Sequence, residues 1–370
     1  MFSTLLTPLA RWVACRHHTM ELLVKAAYHE LFGDSKSPDV KLFTLLKDPA
    51  TWNSLELNNF RPPLIPRAYK DDVEPLLSFI NKQLDGENQD KLPRGDYKEF
   101  LELAKIFLGG DVDRKKGYIF QLSRPGADHH ARWMSKCIYF LKLFLHSDQF
   151  PQSQLSWQKK KKVETMAIFI IFPYLQSWFT SPSLLGAAQN DLDLFKRLQT
   201  FSKIYKKISS ATSSVLSRHP WYLTEELIPV SLFNISLPVE ERTLLAKKIG
   251  SLPPANLKVC KPHLPQATVD SCLLDFVGPR SVLLFNLLGT SHTFLLEDDW
   301  MEQPDYFTTA AALENLSPLN DSCERALALA TIVNGKMTRT ESSFQELVLV
   351  VEKHRKMFKM KTKEDMEKLF

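Results

Sequence analysis

A mainly α-helical fold is what this sequence predicts, on three observations. Apolar residues return at three- and four-residue spacing over most of the chain, the period of a helix face. Glycine is scarce, with 12 in 370 residues, too few for the many tight turns of a sandwich or barrel. Leu, Lys, Phe, Ala and Glu are frequent instead. The length suits two or three domains, or one domain with a large insertion, and the 44% apolar share supplies a sizeable core.

The first element is "RWVACRHHTMELLVKAAYHELFG" (11–33), a short strand candidate at "RWVAC" followed by a helix that Gly33 closes. Polar residues follow from Asp34 to Asp39, and "NNFRPPLIPRAY" (58–69) is irregular because it carries three prolines. Helical patterns resume over 71–84 and 96–110, the latter with Tyr97, Leu101, Ala104 and Leu108 on one side. The stretch 111–127 reads as loop. From 128 to about 250 the pattern is helical, with breaks at 180–191 and 217–220. Within it, "KKVETMAIFIIFPYLQSWF" (161–179) has an apolar core too short to span a bilayer and reads as a buried helix, so no membrane partner is expected. The proline-rich "SLPPANLKVCKPHLPQ" (251–266) marks a boundary. "RSVLLFNLLG" (280–289) fits strand or helix, and 321–334 and 341–360 read as helices. No internal repeat is visible.

The formal charge of +5 permits an anionic partner without requiring one. Basic residues cluster at "KKKK" (159–162), "KIYKK" (203–207) and "KHRKMFKMKTK" (353–363), which suit a solvated face, nuclear localisation or phosphate binding. The five cysteines (15, 137, 260, 272 and 323) form no CxxC pair, which fits a reducing compartment. The opening "MFSTLLTPLA" lacks the charged start of a secretory signal, so a nuclear or cytoplasmic location is expected.

Three groups of residues suggest chemistry. With a helix starting near Asp128, His129, Arg132, Trp133 and Lys136 gather around its first two turns. Arg132 there suits a bidentate phosphate contact, and the Trp133 indole suits stacking on an unpaired base. The same spacing suits a core tryptophan with Arg132 at its rim, the commoner role of a tryptophan, above Ala131, Met134, Cys137, Ile138 and Leu141 facing inward. In "CRHH" (15–18), Cys15 and His18 share a face with Leu22 and Ala26, as half of a zinc site or as a satisfied core pair. The acidic clusters "LTEEL" (223–227) and "LLEDDW" (295–300) suit either divalent-ion binding or exposed helix caps. There is no GxxxxGK loop, no HExxH and no GxSxG, which removes the usual support for nucleotide hydrolysis, zincin and serine-hydrolase chemistry.

Taken in order, "ACRHHTMELLVK", "ARWMS", an acid-preceded Trp and "NDSCERALAL" resemble the back half of hAT-superfamily DNA transposases, across nearly the whole chain. The resemblance matches the family's C-x-x-H motif to Cys15 and His18, and its RWxS motif to Arg132, Trp133 and Ser135. It points to Glu297, Asp298 or Asp299, ahead of Trp300, as the third catalytic acid, and matches a dimerisation segment to Glu324 and Arg325. It implies a ribonuclease-H-like α/β core interrupted by a large helical insertion. The corresponding division is a core remnant over 1–35, a helical insertion over 36–250, a proline-rich connection over 251–285, and a core return with a helical dimerisation segment over 286–370.

The family's first two catalytic aspartates precede the C-x-x-H helix, whereas none of the fourteen residues ahead of Cys15 is acidic. The family's zinc-finger domain is not matched either. Mg2+ or Mn2+ serves the intact family, and two-metal hydrolysis needs several carboxylates around ions about 3.5–4 Å apart. No cofactor and no metal ligands are therefore expected for this chain. The expected function is that of a transposase-derived, catalytically inactive protein that binds DNA, at unpaired or hairpin ends, or a partner chain. Two alternatives stand beside it. One is a fragment of an active D-D-E transposase completed by upstream sequence. The other is a helical protein–protein module, or homo-oligomer, using Phe344, Leu347, Val348 and Val351 on the helix at 341–358.

Overall fold

A computed structural model describes residues 16–33, 41–62, 64–85, 95–110, 133–217, 221–253 and 267–314, together with Leu92 and Leu122. The chain is mainly helical, and no strand occurs among the described residues. The strand candidate at 11–15 and the helices at 321–334 and 341–360 lie outside them.

The main helices are α1 (Arg16–Phe32), α2 (Val73–Leu84), α3 (Gly95–Phe107), α4 (Trp133–Leu145), α5 (Trp157–Phe169), α6 (Leu175–Thr180), α7 (Ala187–Ser202), α8 (Lys206–Leu216), α9 (Val239–Gly250), α10 (Leu283–Leu288) and α11 (Pro304–Glu314). Gly33 closes α1 as its position suggested. Its φ of 78° is left-handed, and its N–H donates to the His29 carbonyl at 2.8 Å. The stretch 280–289 is helical, a tight turn at Pro279–Val282 leading into α10. The expected break at 180–191 is shorter, because α7 already begins at Ala187 and turns Ala187, Ala188 and Asp191 inward.

Between α5 and α6 the helix widens into one π turn, Ile170–Tyr174, which contains Pro173. Proline lacks an N–H and its ring clashes with the carbonyl four residues back, so an extra residue in the turn relieves both problems. The whole of 163–175 is buried, so this segment is a core helix. No helix among the described residues is long and apolar enough to cross a membrane.

Two apolar cores form. The first gathers α1 to α6, the C-terminal half of α7 and α8, with α1 packed on α8, α4 and α5. The second joins the start of α7 to 221–233, α9, 273–300 and α11. Helix α7 therefore serves both, through Ala187, Ala188 and Leu192 at one end and Leu194, Leu198 and Phe201 at the other. The segment 267–285, beyond the proline-rich stretch, packs into the same core as α9 through Leu273, Phe276 and Leu284.

His146, at the end of α4, is fully buried, and its Nδ1 lies 3.0 Å from the Lys142 carbonyl. Burial lowers its pKa below 6.5, outweighing the backbone hydrogen bonds that favour the imidazolium. The unfolded chain thus binds a proton that the folded chain resists. Stability contributed by neutral His146 is present above 6.5 and is lost as the pH falls toward the depressed value. Between about pH 7 and pH 5 the wild type is therefore expected to lose urea midpoint relative to His146→Gln, which lacks this group.

Candidate functional site

Helix α4 is enclosed almost all round. Among residues 134–145 every side chain is buried except that of Lys136, which is half-buried in the first turn. Met134, Cys137, Ile138 and Leu141 face the core, as their spacing indicated. Burial, reinforced by the negative Glu21, pushes the Cys137 thiol well above its ordinary pKa, which makes it a packing residue and a poor nucleophile or metal ligand. Trp133 opens the helix. Its side chain lies outside the described residues, together with His129, Arg132, Cys15, Glu324 and Arg325. His18 is exposed on α1, so the core reading does not hold for it; its neighbours Arg16 and His17 are buried instead.

Glu297, Asp298 and Asp299 are all exposed on one turn, just before the buried Trp300. Asp299 Oδ1 accepts a hydrogen bond from Gln303 Nε2 at 2.6 Å. No three His, Cys, Asp or Glu side chains converge as a metal site among the described residues. The other acidic cluster is engaged by a distant part of the chain. Glu226 Oε1 pairs with Arg280 Nη1 at 3.3 Å, and Glu225 Oε2 accepts the Arg280 backbone N–H at 3.0 Å. The two carboxylates thus clamp the turn that leads into α10.

Among the described residues, a deeply buried ion pair is a feature that sequence reasoning missed. Arg16, at the start of α1, forms a fully buried ion pair with Asp191 of α7, where the two apolar cores meet. The Arg16 guanidinium also lies 5.7 Å from the Tyr222 ring, a cation–π contact with the second core. Next to Arg16, the His17 ring stacks on Trp178 at 4.2 Å. Asn190 Nδ2 donates to the Ser177 carbonyl at 3.1 Å, and Arg197 Nη1 donates to Ser177 Oγ at 3.0 Å. Burial pushes the Asp191 carboxyl up to about 6, although Arg16 opposes the shift. The signal for Asp191 was present in its neighbours. Ala187, Ala188, Leu194 and Phe195, three and four residues away on either side, mark its face of α7 as apolar.

This seam has the chemistry of a clamp: one cation and one carboxylate, desolvated together and surrounded by aromatic rings. Burial also holds the nearby Cys137 thiol and Tyr174 phenol protonated. No known family model, curated protein or solved structure matches this chain.

Proposed function

We propose that this chain is a transposase-derived protein without cleavage activity of its own, which holds unpaired or hairpin DNA through the start of α4. Remnants of a ribonuclease-H-like core at its two ends, flanking the helical insertion, are part of the same proposal. The supporting observation is the burial pattern of α4. Its body is enclosed, and Lys136 reaches solvent in the first turn, beside the Arg132–Trp133 motif. A cation at a helix start next to a guanidinium and an indole suits a phosphate followed by a stacked base.

Trp133→Ala is expected to weaken binding to a labelled DNA hairpin by about tenfold or more, with the circular dichroism unchanged. Fluorescence anisotropy at low salt measures it. Joint loss of folding and binding would return Trp133 to a purely packing role. Metal-dependent nicking of that hairpin, abolished by changing Glu297, Asp298 and Asp299 together, would overturn the inactivity.

A further inference from the structure

We infer a second nucleic-acid contact, specific for single strands, at the start of α5, where exposed Trp157 is followed by four lysines. Trp157 is 64% exposed, and it stands on a helix whose later turns are core. Its position is fixed from below. The Trp157 backbone N–H donates to Gln152 Oε1 at 3.0 Å, the Lys159 backbone N–H donates to Ser156 Oγ, and Lys160 Nζ donates to the Phe150 carbonyl at 3.1 Å. The ring is thus presented on a rigid base.

A run of cations is not what the dipole of a helix start favours. The first turn of α5 contains no acid, although a helix N-terminus favours acids and disfavours cations. Lys159, Lys161 and Lys162 are exposed, and three and four residues from Trp157 come Lys160 and Lys161, on its own side of the helix. Lys162 lies over the Phe32 ring at 5.7 Å, a cation–π contact that leaves its formal charge in place. The nearest acid on α5, Glu164, is buried and shared between Lys161 at 2.6 Å and Arg61 at 3.4 Å. The run therefore keeps a net positive charge around an exposed aromatic face. Sequence-independent binding of single strands needs this pairing, because every base has a face to stack and every nucleotide a phosphate to neutralise. A duplex hides its base faces, so a single strand is the fitting partner.

The inference goes beyond the Arg132–Trp133 reading and uses none of its residues. The test is anisotropy of a labelled oligothymidylate over a salt series, with the full chain. Trp157→Ala should weaken binding by about tenfold, and Trp157→Phe should retain most of it. Replacing Lys159 and Lys162 with Ala, which leaves the Lys161–Glu164 pair in place, should reduce the salt slope by about 0.7 for each phosphate no longer neutralised. The double variant should remain folded, since both side chains are exposed and the Lys161–Glu164 pair is kept. Unchanged affinity in both variants overturns the inference. So does binding to phosphatidylserine vesicles without binding to the oligonucleotide. If Trp133→Ala alone abolishes binding, this second contact is refuted and the first one stands; if Trp157→Ala alone does, the reverse holds.

Discussion

Asp191→Ala is expected to destabilise the protein by about 3–5 kcal/mol at neutral pH, because it strands the buried Arg16 charge where the two cores meet. That is a large part of the stability of an ordinary domain. The pH dependence sharpens the expectation. The Asp191 carboxyl titrates near 6 in the folded chain and near 3.8 when unfolded, so the wild type gains stability from this group as the pH falls from 6 toward 3.8. The Ala variant has no such group, and its deficit should widen at pH 5 relative to pH 7. Urea unfolding at the two pH values measures both effects. Replacing the pair together, Arg16→Met with Asp191→Leu, should recover most of the loss and remove this part of the pH dependence, since a packed apolar pair has no charges to desolvate. A deficit below about 1 kcal/mol in the single variant would mean that solvent reaches the pair.

The helical architecture was legible because periodicity reports which face a helix buries. Tyr97, Leu101 and Ala104 on α3, and Leu108 just past its end, are all buried, as their spacing indicated. So are the inward residues of α4, and Gly33 ends α1 where a left-handed residue was needed. What stayed hidden were buried charges. Arg16, Asp191 and Lys142 read as surface residues in any polarity pattern, and each is buried only because a partner arrives from a distant part of the chain. Lys142 sits inside α4 at 1% exposure because Glu99 of α3 meets its ammonium; burial lowers the lysine pKa and the carboxylate partly restores it. Glu225 and Glu226 show the same difficulty in reverse. Two adjacent acids suggested an ion or a cap, and only the fold brings Arg280 to them.

The division between the cores was illegible for another reason. The cores divide along α7, in the middle of a regular helix. Local propensity carries no information about which of two neighbours a helix face will meet. Since α7 spans the division without a break, the two cores are coupled through a rigid element and not through a linker.

Trp178→Ala is the second large effect expected, about 3–5 kcal/mol of destabilisation. The indole is fully buried and packs against His17 at 4.2 Å, Tyr174 at 5.9 Å and Tyr97 at 6.0 Å, so truncation leaves a cavity bounded by three rings from three segments. Those segments include the π turn at 170–174 and α1, neither of which can collapse inward without giving up its own packing. Trp178→Phe should cost less, since an aromatic ring still fills part of the site. Because His17 adjoins Arg16, combining Trp178→Ala with Asp191→Ala should depart from additivity by about 0.5–3 kcal/mol in a double-mutant cycle. Strict additivity would separate the aromatic stack from the ion pair. The comparison with Trp157→Ala then isolates folding from binding within one chain. Removing the exposed indole should leave the unfolding free energy within about 0.5 kcal/mol of wild type. Removing the buried one should lower it sharply, while any fraction that remains folded binds the oligonucleotide as before.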